Sequence, residues 1–442
     1  MKKVLIIPNS SSGHTIPTLQ IAKVLLQNGY DVIYLVDLNV KDQIQKQGFQ
    51  VVLCHTEIFG DFESSIAHQN YKSFLDRIID RITNKFLNNT IKNLLKFEES
   101  IEKIAPDLIL LDVFFSYAYI LLKNKRPTIF IQTMLSTYYD ALTPPINSTL
   151  LPSNKLLMKI DWIKCKFKWR KSDVIFLGDS MWGVTKRALK KLNRPFDFST
   201  LDKNKSYHVG IKNVPEWVLS PKEFDFPKDK PLSFQKHIGP TTNLHRKETF
   251  DTAYNNWVEK TKGQKIVYCS LGTVSLLHNR KSVEFLKKVV TVFSTKRDWQ
   301  LIMSCGEVEV NELGVVSPNI HLFKKVPQLD VIKRSNFVIT HGGLNTVTEC
   351  ILLATPMIVF PLNDTWDQNG NAVRVVYHKL GLRGNIKTIT VTELHKKIDE
   401  MIGGTILKEN ILKMSHIFQQ RNEALNSTIQ NILNIQEVGV TS

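Results

Sequence analysis

Much that would narrow this 442-residue sequence to a simple class is missing from it. Its five cysteines, Cys54, Cys165, Cys269, Cys305 and Cys350, are dispersed, and no two stand in a CxxC spacing. That argues against a disulfide framework and a zinc knuckle, and predicts free, mostly buried thiols in a reducing compartment. No apolar run approaches the roughly 20 residues that cross a bilayer. The opening MKKVLIIPNSSSGH turns polar too soon to form a signal-peptide core. The expected location is therefore cytoplasmic. The first loop lacks GxGxxG, which disfavours a nicotinamide dehydrogenase. Zinc-finger spacings and RNP-like aromatic runs are missing too, so nucleic acid is not an expected partner. There is no DxD-type acidic pair, and no metal site is expected.

What is present is an ordinary globular composition, 43% hydrophobic, with a strong basic excess: Lys+Arg 58 against Asp+Glu 41, a net charge of +17. Such an excess favours anionic partners, among them phosphorylated substrates and anionic lipid. Plain solubility is the competing account. The length suggests two domains of roughly 200 residues each.

The pattern along the chain agrees. KVLIIP (3–8) reads as a buried parallel strand, 16–27 as an amphipathic helix ended by Asn28-Gly29, and DVIYLV (31–36) as the next strand. Further buried strands are expected in KIAPDLILLDVF (103–114) and PTIFIQ (127–132), with a polar helical stretch over 61–100. The rhythm loosens over 195–240, and a linker is expected near 235–245. It restarts with KIVYCSLG (265–272), a helix over 281–295, WQLIMSCG (299–306), NIHLFKKV (319–326), NFVITHGG (336–343), a helix over 345–354, PMIVFPL (356–362) and a last helix over 406–435. Alternating strands and helices imply α/β architecture: two Rossmann-like, doubly wound domains facing a cleft. The expected division is 1–235, 236–425 and a C-terminal helix or tail, 426–442.

Three segments carry chemistry. In VITHGGLNTVTEC (338–350) a buried strand meets His341, Gly342 and Gly343, then a helix bearing Asn345, Thr346 and Glu349. Glycines let backbone amides approach an anion, and a helix start offers free N–H groups and a positive dipole end. Asn345 and Thr346 can donate to phosphate, and Glu349 can accept from ribose hydroxyls. A lone HGG would read as a glycine turn with a capping histidine, but the ordered set of polar groups points to a nucleotide. SLGT (270–273) ends another strand, where Gly272 and Thr273 suit a diphosphate. PLNDTWDQNGNA (361–372) offers Asp367 and Gln368 to sugar hydroxyls. At the other end, SSSGHTIP (10–17) places His14 after the first strand, and Asp112 closes the strand DLILLD on the same sheet edge. A neutral imidazole suits proton abstraction near pH 7, and a carboxylate behind it fixes its tautomer. Taken singly, each of the two would read as a cap.

The block from VPQLDVI (326–332) through ITHGGLNTVTEC to PLNDTWDQNGNA resembles the donor-binding signature of UDP-dependent glycosyltransferases of the GT-B fold, in the bacterial macrolide and natural-product branch. The resemblance is specific over about 326–375, and it extends to SLGT and the first loop. It implies that Val326, Pro327 and Gln328 lie beside the base. It gives the pyrophosphate to His341, Gly342, Gly343, Asn345 and Thr346, with Gly13, Ser270, Gly272 and Thr273 nearby. Glu349 takes the ribose, and Asp367 and Gln368 the hexose. It implies His14 as general base, Asp112 as its partner, and an inverting displacement without metal. The co-substrate is a nucleotide-diphosphate sugar, UDP-glucose foremost, and the acceptor a small hydrophobic natural product or a lipid. Lys325 stands where an aromatic residue often stacks on the base, so dTDP stays open beside UDP. Ala354-Thr355 and Trp366 also depart from the usual pattern.

KLLMKIDWIKCKFKWRK (155–171) fits two descriptions: an acceptor-domain helix with a solvated lysine face, or a basic amphipathic helix on an anionic membrane. Two other functional classes compete with the transferase. A nucleotide-sugar epimerase of this architecture would need carboxylates near the sugar rather than a histidine in the first loop. A non-catalytic sugar-nucleotide-binding protein would lack the His14–Asp112 pair.

Overall fold

The computed structural model describes residues 1–56, 58, 79, 82–175, 181–202, 204–206, 209–212, 214–272, 280–306, 310–314 and 316–440. Two parallel sheets organise the chain. The first contains β1 (Lys3–Ile7), β2 (Asp31–Val36), β3 (Gln50–Leu53), β4 (Leu108–Asp112) and β5 (Thr128–Gln132). A short antiparallel pair, β6 (Leu201–Asp202) and β7 (Gly210–Ile211), stands apart from it. β8 (Glu216–Val218) and β9 (Gln235–His237) then complete the first sheet in the order β3-β2-β1-β4-β5-β8-β9. The second sheet holds β10 (Lys265–Ser270), β11 (Trp299–Ser304), β12 (Ile320–Phe323), β13 (Phe337–Thr340), β14 (Met357–Val359) and β15 (Gly381–Arg383), ordered β12-β11-β10-β13-β14-β15.

The strand β1 shows why the first sheet is buried on both faces. Leu5 and Ile7 pack with Leu94, Phe97 and Ile101 of the helix Lys85–Ile104. Val4 and Ile6 point the other way, into a cluster with Ile21, Ala22 and Leu25 of the helix Ser12–Gln27. Alternation along the strand thus serves two apolar layers, which is why KVLII has no polar position after Lys3.

The structure corrects several boundaries. The first helix begins at Ser12, not Ile16, so His14 lies in its first turn. SSSGH looks like loop because serine and glycine are weak helix formers, but Ser11 is extended and its carbonyl accepts from the His14 and Thr15 amides. The loose region 195–240 contributes β8 and β9, which at three residues each are too short to display a period. The last helical stretch is two helices, Thr405–Glu423 and Leu425–Val440. Ile411, Met414 and Phe418 of the former pack on the second sheet's helices. Leu425, Ile429 and Leu433 of the latter join the cluster behind β1, so the chain redirects at Ala424 and returns to the first lobe. Residues 61–78 of the expected polar helical stretch lie outside the described residues. All five cysteines are free, three of them buried.

Candidate active site

Strand order reverses once in each sheet, between β1 and β4 and between β10 and β13. Such switch points open a crevice beyond the carboxyl ends of the strands. In the first sheet Ile7 pairs with Leu111, so the chain leaving β1 emerges beside Asp112. In the second, Ser270 pairs with Thr340, which sets Leu271-Gly272 against His341-Gly342. The two crevices face each other.

In the first crevice His14 Nδ1 lies 2.7 Å from Asp112 Oδ2 and 2.9 Å from Thr133 Oγ1. A carboxylate cannot donate, so Nδ1 carries the proton and Nε2 keeps its lone pair. The same carboxylate accepts from the Phe114 amide through Oδ1 (3.0 Å) and from the Asn9 amide through Oδ2 (3.4 Å). Its orientation is therefore fixed by backbone on both sides. The Phe114 ring stands edge-on to the imidazole, with 4.6 Å between centroids. Burial pushes the His14 pKa down, but the charge and hydrogen bond of Asp112, with the Asp367 charge behind them, outweigh it and hold the group above its ordinary 6.5. The influence of Asp367 comes from the opposite lobe. Burial, as the largest cause, raises that carboxyl above its ordinary 3.8. Asp107, at the entry side of β4, takes no part: it accepts from the Lys3 amide.

The second crevice is built around His341. A Cβ added at Gly272 would lie 2.8 Å from His341 Cε1, and one at Gly343 would lie 2.8 Å from Nε2. Both glycines thus make room for the imidazole as well as for any anion. Gly272 and Gly342 also take positive φ, +81° and +86°. Burial lowers the His341 pKa to about 4, so the ring is neutral at physiological pH. Its Nδ1 is a buried atom with no hydrogen-bond partner among the described residues, an arrangement that favours a polar ligand. The helix Leu344–Leu352 begins directly behind it, with Gly343 as its N-cap. The Ser270 hydroxyl faces the Gly272 amide at 3.4 Å. Thr273 lies outside the described residues.

The remaining expected donor residues fall in the same region, and most are already engaged. Glu349 is buried and accepts from Gln328 Nε2 at 2.6 Å. Gln328 also reaches the Thr346 hydroxyl at 3.4 Å. Val326 is buried, whereas Lys325 is exposed. Gln368 turns its Oε1 to the Leu362 and Asn363 amides (2.8 and 3.1 Å), tying down the loop that holds Asp367. Asn371 donates to Gly342 O (2.9 Å) and to Asp367 Oδ2 (3.0 Å), linking the hexose candidate to the glycine loop.

One contact joins the two crevices. Pro17 sits inside the first helix and has no N–H, so the carbonyl of Gly13 four residues earlier loses its helical donor. Asn345 Nδ2, from the other lobe, donates to that carbonyl at 3.0 Å.

Sequence reasoning missed Thr133, Arg246, Glu248 and Asn371. Thr133 directly follows β5, the third strand to end at this edge, and that position was a usable signal. Arg246 was not legible. It pairs with Glu349 and with Glu248 (3.2 Å), while Glu248 accepts from the Leu329 amide at the start of the helix Gln328–Arg334. Nothing in NLHRKE marks a residue that will meet a carboxylate 103 positions away.

Residues 186–427 match the family described as UDP-glucoronosyl and UDP-glucosyl transferase. The chain is 31% identical over 167 residues to zeaxanthin glucosyltransferase of Pantoea ananas, a match covering 37% of this chain and only 36% of that protein. It is 23% identical over 404 residues to the NDP-glycosyltransferase YjiC of Bacillus subtilis (strain 168), covering 91% of this chain and 89% of that one. Its fold is similar to that of CalG4, the calicheamicin glycosyltransferase, with a TM-score of 0.67, 16% identity and 98% of each chain covered. It is also similar to the glycosyltransferase VinC in complex with dTDP, with a TM-score of 0.63, 15% identity, and 98% of this chain and 99% of that chain covered. Two Rossmann-like lobes with this arrangement are the GT-B fold, and the chain belongs to the UDP-glucoronosyl and UDP-glucosyl transferase family.

Proposed function

We propose that the protein is an inverting glycosyltransferase that moves a hexose from a UDP-sugar, UDP-glucose foremost, to a hydroxyl of a small hydrophobic natural product or a lipid. The observation that carries this reading is the His14–Asp112 pair, 2.7 Å apart, set opposite the glycine-bounded His341 loop and Asp367. An epimerase of this architecture would need carboxylates near the sugar rather than a histidine in the first loop, and a non-catalytic binding protein would be expected to lack the pair. Relatives named for zeaxanthin and oleandomycin support an acceptor of this size and class.

The reaction is a single displacement. His14 Nε2 takes the acceptor hydroxyl proton as the oxygen attacks the anomeric carbon. The bond from that carbon to the diphosphate breaks, and configuration inverts. Asp112 and Thr133 keep the imidazole in register and stabilise the imidazolium that forms. The departing charge is met by the free amides of the helix Leu344–Leu352 and by Asn345 and Thr346, the electrostatic contribution that usually dominates such a step. Glu349, held by Arg246 and Gln328, takes the ribose, and Asp367 with Gln368 takes the hexose. On this reading the residues supply the whole chemistry and no metal is needed.

The test combines purified protein with UDP-glucose and a panel of phenolic, polyketide and lipid hydroxyls, comparing wild type with His14→Ala. Nucleotide release that rises with one acceptor and collapses in the variant is the expected result. Tight UDP binding without transfer to any acceptor, unchanged in the variant, would sink the reading.

A further inference from the structure

The helix Lys155–Ile175 is anchored on one side and open on the other. Met158 and Trp162 are buried, and the Trp162 indole donates to Thr143 O at 2.8 Å. Asp161, on the same side, accepts from the Ser148 hydroxyl at 2.7 Å. Opposite them Leu156, Ile160, Ile163 and Phe167 recur at the spacing of one helical face, and at about 100° per residue they share an arc of about 60°. They are not covered: Leu156 is 68% exposed, Ile163 54% and Phe167 67%. Leu157 is exposed as well.

The lysines complete the pattern. Lys155, Lys159 and Lys166 border one side of the apolar arc and Lys164 the other, all exposed. Lys166 also lies over the exposed Tyr139 ring, 4.9 Å from its centroid. Through Phe167 the helix's only acidic residue is Asp161, which accepts from Ser148 and also pairs with Lys164 at 3.6 Å. An apolar stripe banked by a row of lysines is what an anionic bilayer recognises: the stripe enters the acyl boundary while the lysine stems reach back to the headgroups. A second copy of the chain packed face to face would bring like charges together along the bank of Lys155, Lys159 and Lys166. Among the described residues no helix is long and apolar enough to cross a membrane, so contact through this face would be peripheral.

We infer that this face of the helix Lys155–Ile175 docks the protein on an anionic phospholipid surface. Docking stands independently of the transferase reading, since it needs neither donor nor acceptor.

The experiment is co-sedimentation of the full chain with vesicles of phosphatidylcholine alone, or with phosphatidylglycerol added. Wild type is expected to partition at least tenfold more onto the anionic vesicles, and to be released as salt rises and the screening length shrinks from about 10 Å at 0.1 M to about 3 Å at 1 M. Ile163→Ser with Phe167→Ser removes the stripe while keeping the lysines; Lys159→Glu with Lys166→Glu reverses one bank. Both should lose binding, the lysine pair by about fivefold or more per residue. The four side chains are exposed, so unchanged thermal unfolding is expected and serves as the folding control. Equal partition onto both vesicle types, or both double variants sedimenting like wild type, would overturn the inference. So would a dimer in light scattering that the Phe167 variant abolishes, which would give the face to a second copy.

Discussion

At the scale of single residues, the arrangement around His14 makes a prediction about pH as well as rate. His14→Ala should lower kcat by about 10²- to 10⁴-fold, as loss of a general base does, while UDP binding measured by calorimetry stays as in wild type. The base must be neutral to act. Because Asp112 and Asp367 hold its pKa above 6.5, kcat/KM should climb with pH to a plateau whose inflection lies above 6.5. Asp112→Asn removes the largest raising influence and should move that inflection to lower pH while reducing the plateau. An inflection that stays put in the variant would show that Asp112 is not what raises the His14 pKa. Arg246→Met tests the missed network. Glu349 would keep its buried carboxylate without the charged partner Arg246, and UDP affinity should fall about ten- to a hundredfold, in keeping with the ~1.5–3 kcal/mol of a hydrogen bond to a charged group. His14 and Asp112 were legible because Asp112 ends one buried strand and His14 lies in the segment that leaves another. Arg246 was not, because its partner is set by tertiary approach rather than by spacing.

At the scale of elements, the two glycines flanking His341 separate sterics from backbone strain. Gly343 has φ −60°, which any residue adopts, so Gly343→Ala acts only by crowding the imidazole. Gly272→Ala adds the strain of φ +81°. Both should weaken UDP binding, but Gly272→Ala should lower the melting temperature more, by an amount reflecting an extra ~1 kcal/mol or more of left-handed strain. Equal thermal shifts in the two variants would contradict this. Element legibility followed apolar character more than length, for even the three-residue β14 stands in the readable run PMIVFPL. β10 and β11, at six residues each, announce themselves as apolar runs, whereas β8 and β9 are continuous with their sheet only through pairing that no local pattern displays. The first turn around His14 was read as loop because Ser, Gly and Pro are sequence signs of irregular chain. There, the Ser11 carbonyl, which accepts from the His14 and Thr15 amides, decided otherwise.

At the scale of the whole molecule, the lobes are held by buried charge as well as by apolar packing. Arg374, in the helix Gln368–Tyr377, donates to Asp225 Oδ1 through Nε (2.9 Å) and Nη2 (2.6 Å), both side chains almost fully buried. Burial pushes the Asp225 carboxyl up, but Arg374 outweighs it and holds it below its ordinary 3.8. A depressed folded pKa means the stabilisation is present above 3.8 and is lost as pH falls through the folded value. Arg374→Met should cost about 3–5 kcal/mol by stranding the carboxylate, visible as a lower melting temperature at pH 7, with the gap to wild type narrowing on acidification. A constant gap from pH 7 to pH 3 would refute the assignment. The alternation of strands and helices was enough to anticipate two facing Rossmann-like lobes. Which residues bridge them was not, since Arg374 and Asp225 lie 149 positions apart.

The return of the helix Leu425–Val440 to the first lobe has a mechanical corollary. The chain passes between lobes after β9 and again at Ala424, so the second lobe is suspended from two pins rather than one. Two fixed points define a line, and a body hung on both can swing about that line but resists spinning around any other. A swing of the second lobe about that line would return Asp367 to the same side of His14, so that on the proposed transferase reading the covalent path of the chain would index the face of attack.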